Sequence, residues 1–371
     1  MSTSGQSKIS VRQALHDRCL TVASPGDATA VLRHLDPKYG GVVFSSSGGF
    51  SRGHAVKRMF PGLVIAADHR ERGKEEKPAT PAEPIALPNL GGLFAPLAHK
   101  DALDQFIEGQ FHAGADVGVI PGRVIRAEDS ESLAAVVERA NAVDRDDVIV
   151  RIPVSHTWFL GQNVRQLNGI LGRSRHPVAL SPADKRDPME NKGVPEGLRR
   201  VIDLHGDKII VWKTDLAGID ALTRGALATA VGVVASLRHT SPPGGFGKKI
   251  NERDPTPQVF LPKLLRYMRA SYLHDEVFAS TKPWTCDCKA CCGKSVARFT
   301  GSADHLREAA IHNALAITGL HQRIISVPTG TRAAEWRETL ESALAAHQEL
   351  ALYVERKMPF PGPLQYWLDH A

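Results

Sequence analysis

Short apolar runs that end in small, polar or charged residues recur along the first two thirds of the chain, and segments with helical spacing separate several of them. The runs are 41–47, 63–69, 84–89, 116–121, 148–154, 177–184, 208–215 and 230–238. Helical spacing of apolar positions predicts helices over 100–113, 130–141, 196–204 and 219–228, the second behind an Asp129/Ser130 cap. Strands alternating with helices predict a parallel sheet covered on its outer face, and eight of them predict closure. The expected fold is therefore α/β, a (β/α)8 TIM barrel over 39–240, preceded by an N-terminal segment 1–38. From about 241 the pattern changes to helices, expected over 261–272, 302–320 and 332–358, so that 241–371 reads as a helical subdomain packed on the barrel.

In a parallel barrel the loops at the carboxyl ends of the strands converge on one mouth, which makes the strand-end residues the candidates for chemistry. Asp68, Asn89, His156, Asp215, Ser236, Arg238 and His239 fall there.

Composition narrows the classes. The 371 residues are 42% hydrophobic and 23% charged, as expected of a globular chain and not of a disordered one. The longest nearly unbroken apolar run, 226–237, is too short for the roughly 20 residues of a membrane span. A polar first dozen residues lacks a signal-peptide core, so a cytoplasmic location and no membrane partner are expected. The net charge is +6, and the stretch 238–298 alone carries 11 basic against 5 acidic side chains, interleaved with aromatic residues. That mixture suits phosphate neutralisation and base stacking. Lys248, Lys249, Arg253, Lys263, Arg266 and Arg269 are the candidate phosphate contacts.

Four of the five cysteines cluster, and Cys286, Cys288 and Cys291 are followed 21 residues later by His312 inside an expected helix. Three thiolates and one imidazole make a closed tetrahedral set, which suits a structural zinc ion. A catalytic ion needs an open position, and the sequence shows no His-x-His or carboxylate cluster at the strand ends to supply one. His312 is preferred to His305 and His321 because Asn313 follows it in an apolar helix.

With these residues quoted, the chain resembles the tRNA-guanine transglycosylase superfamily, including its branch that modifies DNA. The resemblance rests on Cys286, Cys288, Cys291 and His312-Asn313, with looser likeness over 105–119 and 213–225, and it extends from about residue 40 to 320. It implies a barrel with a zinc subdomain, exchange of guanine for a 7-deazaguanine in DNA or tRNA, and a homodimer or heterodimer. It also implies two catalytic aspartates, one in a Thr-Asp-Ser-Gly-Gly-Phe turn and one in the last strand. Neither is present: the turn reads as 88–93 with Asn89, Gly91 and Gly92, or as 45–50 with Ser46, and 231–238 has no carboxylate. Two readings remain. In one, the acids have moved to Asp68 and Asp215, with Ser46, Asn89, Gly91, Gly92, His156, Ser236, Arg238 and His239 lining the pocket. In the other, the chain binds nucleic acid or a deazaguanine without exchanging bases.

Overall fold

The computed structural model describes residues 10–45, 53–68, 77–87, 99–243, 254–279, 282–354 and 358–371. Eight parallel strands form one sheet in the order β3-β2-β1-β8-β7-β6-β5-β4. They are β1 (Arg18–Ala23), β2 (Gly40–Ser45), β3 (Val64–Asp68), β4 (Gly118–Pro121), β5 (Val148–Ser155), β6 (Val178–Ala183), β7 (Ile209–Trp212) and β8 (Ala228–Gly232). The edges β3 and β4 meet through an Ala66–Val117 bridge, and the amides of Asp116 and Val117 both donate to the Ile65 carbonyl, at 2.8 and 3.2 Å. The sheet thereby closes into a (β/α)8 barrel. Side chains alternate along each strand. Leu20, Val22, Val43, Ala66, Val119, Ile149, Ala179, Ile210 and Ala230 cluster in the lumen. Their neighbours Phe44, Ile65, Val150 and Val211 belong to the outer clusters beneath the helices.

The helices that matter below are α1 (Pro25–Leu32), α2 (Gly53–Met59), α3 (His99–His112), α4 (Ser130–Asn141), α5 (Asn163–Leu171), α6 (Val194–His205), α7 (Ala217–Thr223), α8 (Ala303–Ile325), α9 (Arg332–Ala351) and α10 (Gly362–Asp369). The expected helices over 100–113, 130–141, 196–204 and 302–320 correspond to α3, α4, α6 and α8, and the one expected over 332–358 to α9, which ends at Ala351. Asp129 caps α4 by accepting from the Ser132 amide at 3.0 Å. The helix expected over 219–228 ends at Thr223, because Ala228 already starts β8. No helix among the described residues is long and apolar enough to cross a membrane.

Four further elements differ from expectation. The first barrel strand is β1, inside the segment 1–38 that the sequence pattern leaves outside the barrel; it pairs with both β2 and β8. Its apolar run is broken by Thr21, which is nevertheless buried. Conversely the described part of the run 84–89, residues 84–87, supplies no strand: Ile85 makes one antiparallel bridge to Gly122, and Pro84 has no amide hydrogen for a ladder. The helix expected over 261–272 is a hairpin, β9 (Gln258–Leu261) and β10 (Arg266–Arg269). Its turn contains Pro262 and a left-handed Leu265 at φ 48°, which a helix cannot accommodate. The eighth strand also stops early, at Gly232, and a helical turn over Ala235–Arg238 follows it.

The region after 241 is fastened to the barrel by buried polar contacts. Asn313 on α8 accepts from the Phe260 amide at 2.8 Å and donates to the carbonyls of Gln258 and Val233, at 2.8 and 3.1 Å. One side chain thus joins α8, the hairpin and the segment leaving β8. At the opposite end Arg332 grips both oxygens of Asp17, each at 2.7 Å. Trp336 on α9 donates to Asp220 on α7 at 3.0 Å, and Arg199 on α6 holds the same carboxylate. Replacing Asn313 by alanine strands three backbone groups, so Asn313→Ala is expected to lower unfolding free energy by about 2–4 kcal/mol in a denaturant titration.

Candidate functional site

Two clusters stand out, one on the appendage and one at the barrel mouth. In the first, Cys286 and Cys288 lie before and within a tight turn in which the amides of Cys291 and Cys292 both donate to the Cys288 carbonyl at 2.9 Å. His312 projects from α8 and is wholly buried. Its Nδ1 lies 3.5, 3.6 and 3.2 Å from the sulfurs of Cys286, Cys288 and Cys291. Its Nε2 donates to the Phe260 carbonyl at 2.8 Å, which leaves Nδ1 as the lone-pair nitrogen facing the thiols. A tetrahedron with the usual zinc–sulfur and zinc–nitrogen bond lengths has a sulfur–nitrogen edge of about 3.5 Å, so the four side chains fit one ion. They form a group able to hold a metal. Cys292 is exposed, and its thiol turns away to the Lys289 carbonyl at 3.3 Å.

The second cluster gathers residues that follow β6, β7 and β8. Asp187 stands in the loop after β6, where it caps a single 3-10 turn by accepting from the Met189 amide at 3.0 Å. Asp215 follows β7. Arg238 and His239 follow β8, the arginine donating to Asp215 Oδ2 at 3.1 Å and the imidazole Nε2 lying 3.4 Å from the same oxygen. His239 Nε2 is 3.9 Å from Asp187. One carboxylate oxygen of Asp187, one of Asp215 and a ring nitrogen of His239 all lie within 4.8 Å of one another. Arg238 is fixed from behind by Gln258 and by the Tyr267 ring, whose centre lies 3.8 Å from the guanidinium carbon. The group opens on a cavity of about 410 Å³ whose wall includes Lys185, Arg186, Arg266, Tyr267 and, from α10, Trp367. Asp215 Oδ1 is shielded and has no hydrogen-bond partner.

The two carboxyl groups are driven apart in proton affinity. Burial raises Asp187, the neighbouring Asp215 charge adds to it, and together they push it up to about 6. Burial works against the Asp215 charge as well, yet Arg238 and His239 outweigh it and hold that carboxyl below the usual aspartate range. Burial would lower His239, but the Asp215 charge wins and raises it. One acid of raised proton affinity beside one of lowered affinity is the kind of pairing that general acid and nucleophilic roles use.

The sequence-derived candidates divide accordingly. Asp215, Arg238 and His239 come together. His156 lies at the same mouth but pairs with Asp184 at 3.1 Å, outside the four-residue group. Asp68 is fully buried in the lumen between Arg151, at 2.9 Å, and Lys213. Ser236 is exposed on the turn after β8. Of the basic residues, Arg266 lines the cavity and Lys263 is exposed over the Trp284 ring. Arg269 donates within the chain to the carbonyls of Asp254 and Thr256 at 3.0 and 2.8 Å. Ser46, Asn89, Gly91, Gly92, Lys248, Lys249 and Arg253 lie outside the described residues. Asp187 is absent from the sequence-derived set; its signal is an Asp-Pro pair three residues beyond the end of an apolar run.

No family model matches the chain, and no curated protein matches it. Among solved structures it is similar to a complete multifunctional pyruvate carboxylase from Rhizobium etli, at 9% identity and a TM-score of 0.32. That match covers 91% of this chain but 32% of the carboxylase, so the chain spans about a third of its length. At that score the likeness adds nothing to the strand ladder and says nothing about chemistry.

Because Asp187 has a folded pKa raised to about 6, its proton stabilises the fold fully below its unfolded value near 4, and that contribution is lost as pH rises through about 6. Asp187→Asn carries no such proton. The variant is expected to gain stability relative to the parent between about pH 4 and pH 7, read by denaturant unfolding across that range; a difference independent of pH would contradict the assignment.

Proposed function

We propose that the chain is a transglycosylase-like enzyme that exchanges guanine for a 7-deazaguanine base in nucleic acid, with the chemistry carried by Asp215 and Asp187. The observation that carries this reading is the carboxyl pair at the mouth, close together and unlike in proton affinity. Carboxyl groups about 5 Å apart suit double displacement with retention at a sugar carbon, whereas inversion needs a wider gap for water. The separation here, at most 4.8 Å between the nearer oxygens, belongs to the first class.

In the proposed sequence an ionised Asp215 oxygen bonds to C1′ of the target nucleoside. The glycosidic bond breaks, its electron pair leaves with guanine, and the departing base takes a proton from Asp187. Asp187, now a carboxylate, accepts the ring N–H proton of the incoming base. That nitrogen then bonds to C1′ and releases Asp215 as a carboxylate. Arg238 and His239 keep Asp215 charged at the start, and Lys185, Arg186 and Arg266 offer positive charge to the phosphates on either side. DNA is favoured over tRNA only by how far this chain departs from the tRNA enzymes' turns.

Zinc is the ion proposed for Cys286, Cys288, Cys291 and His312. It would act structurally, cross-linking the cysteine turn to α8, since four protein donors leave no position for a substrate. A cytoplasmic location accords with thiols held reduced for metal.

The alternative, binding without exchange, draws on β8, whose sequence ATAVG offers no acid. Incubation of duplex DNA or tRNA with labelled guanine separates the two. Exchange is expected with the native chain, no detectable exchange with Asp215→Asn, and a loss of about 10²–10⁴-fold with Asp187→Asn. Binding that persists in the native chain without label uptake favours the reader. Binding in either case should weaken steeply with salt, and salt-insensitive binding would count against a phosphate-bearing ligand. Elemental analysis should find zinc stoichiometric with protein and lost in Cys291→Ala.

A further inference from the structure

Asp68 has no part in that chemistry, yet it is the most deeply buried acid near the mouth. Strand parity places Asp68 on β3 and Arg151 on β5 in the lumen, in line with Ala66 and Ile149. Lys213, the residue after β7, is equally buried, and its ammonium reaches Asp68 while Arg151 holds the other carboxylate oxygen at 2.9 Å. The strands β3, β5 and β7 are alternate staves of the barrel, and alternate staves supply the side chains of one interior layer, which is aliphatic in most such barrels. Here that layer is an ion-paired bridge across the lumen.

Lys213 has φ of 55°, a left-handed conformation that is uncommon for a residue with a side chain. Its amide donates to the Ala230 carbonyl of β8 at 2.7 Å, so the turn is pinned at the backbone by one neighbour and at the side chain by the far wall. Asp215 comes two residues later, past a fully buried Thr214, with its carboxylate against Arg238 and His239.

We propose that Asp68 and Lys213 are positioning residues: their ion pair across the lumen holds the left-handed turn that presents Asp215 to Arg238, His239 and Asp187. The inference rests on the reading of Asp215 as the reacting acid, but its test is read at His239 and stands whether or not base exchange is found. The charged and titratable groups around His239 are Asp187 and Glu190 from the β6 loop, Asp215 from the β7 loop and Arg238 on its own turn. Lys185, Arg186, Arg266 and Tyr267 share the same cavity wall.

The experiment follows the His239 ring protons by NMR through a pH titration in the full chain, with circular dichroism confirming the fold. In Lys213→Ala, Asp215 moves away from His239 and the midpoint is expected to fall by about one pH unit. The direct field of a lost lysine charge would instead raise it, so the sign of the shift separates displacement from simple electrostatics. Lys213→Gly, which adopts a left-handed φ without strain, is expected to keep the midpoint closer to the native value than Lys213→Ala does. Asp68→Asn keeps the shape of the layer and its contact with Arg151, and is expected to lower the midpoint too. A native midpoint in folded Asp68→Asn, a rise in Lys213→Ala, or identical shifts in the alanine and glycine variants would overturn the proposal. Should Lys213→Ala fail to fold, Lys213→Met, which removes the charge and keeps most of the stem, is read in its place: a fall in the His239 midpoint supports the proposal and a rise overturns it.

Discussion

A charge withdrawn from water must find a partner, and at the top of this barrel that requirement links strands that share no ladder. The Asp68 carboxylate is fully buried and answered from β5 by Arg151 and from the end of β7 by Lys213. An aliphatic layer at this height would fill the lumen equally well and leave the strand ends free to settle individually. The ionic layer instead ties the exit of β7 to the opposite wall, and Asp215 follows Lys213 by two residues. The same rule operates one level higher, where Asp215 and Asp187 are too close to ionise together at low energy. Arg238 and His239 favour the charge on Asp215, and the proton affinity of Asp187 rises in answer.

The mouth is shaped by contributions from far along the chain. Loops after β6, β7 and β8 bring the acids and their partners, the β9–β10 hairpin brings Tyr267 and Arg266, and α10 closes one side with Trp367. The hairpin is in turn held by Asn313 and His312, whose side chains bond to Phe260 on its strand β9. An ion among the three cysteines and His312 would therefore steady, through Phe260 and the hairpin, the same Tyr267 ring on which Arg238 is stacked. The metal group and the candidate catalytic group are separate sites joined by a short chain of contacts.

Much of this was legible in the residues. The cap at Asp129, the periodicity of α6 and α8, and the spacing of Cys286, Cys288, Cys291 and His312 all rest on local rules, and each element formed as those rules require. Asp215, Arg238 and His239 were found because parallel strands must deliver their ends to one mouth. What escaped depends on distant partners. The strand β1 interrupts its apolar run with Thr21, and only burial between β2 and β8 makes it a strand. The hairpin at 258–269 has helix-compatible residues and is decided by the turn at Pro262 and Leu265. Asp187 sits in a loop whose importance appears only once β6 and β7 bring it against Asp215. Asp68 shows the converse: its position at a strand end was plain, but the cations that occupy it come from residues 151 and 213 and could not be paired with it by spacing.

The most direct test of the account is chemical capture at the reacting acid. A nucleic acid whose target sugar is modified to slow the second displacement would be incubated with the protein, and the adducted peptide identified by mass spectrometry. The account predicts a sugar ester on Asp215, absent from Asp215→Asn and still formed, more slowly, by Asp187→Asn. An ester on any other carboxylate, or none from a protein that exchanges labelled base, would contradict it.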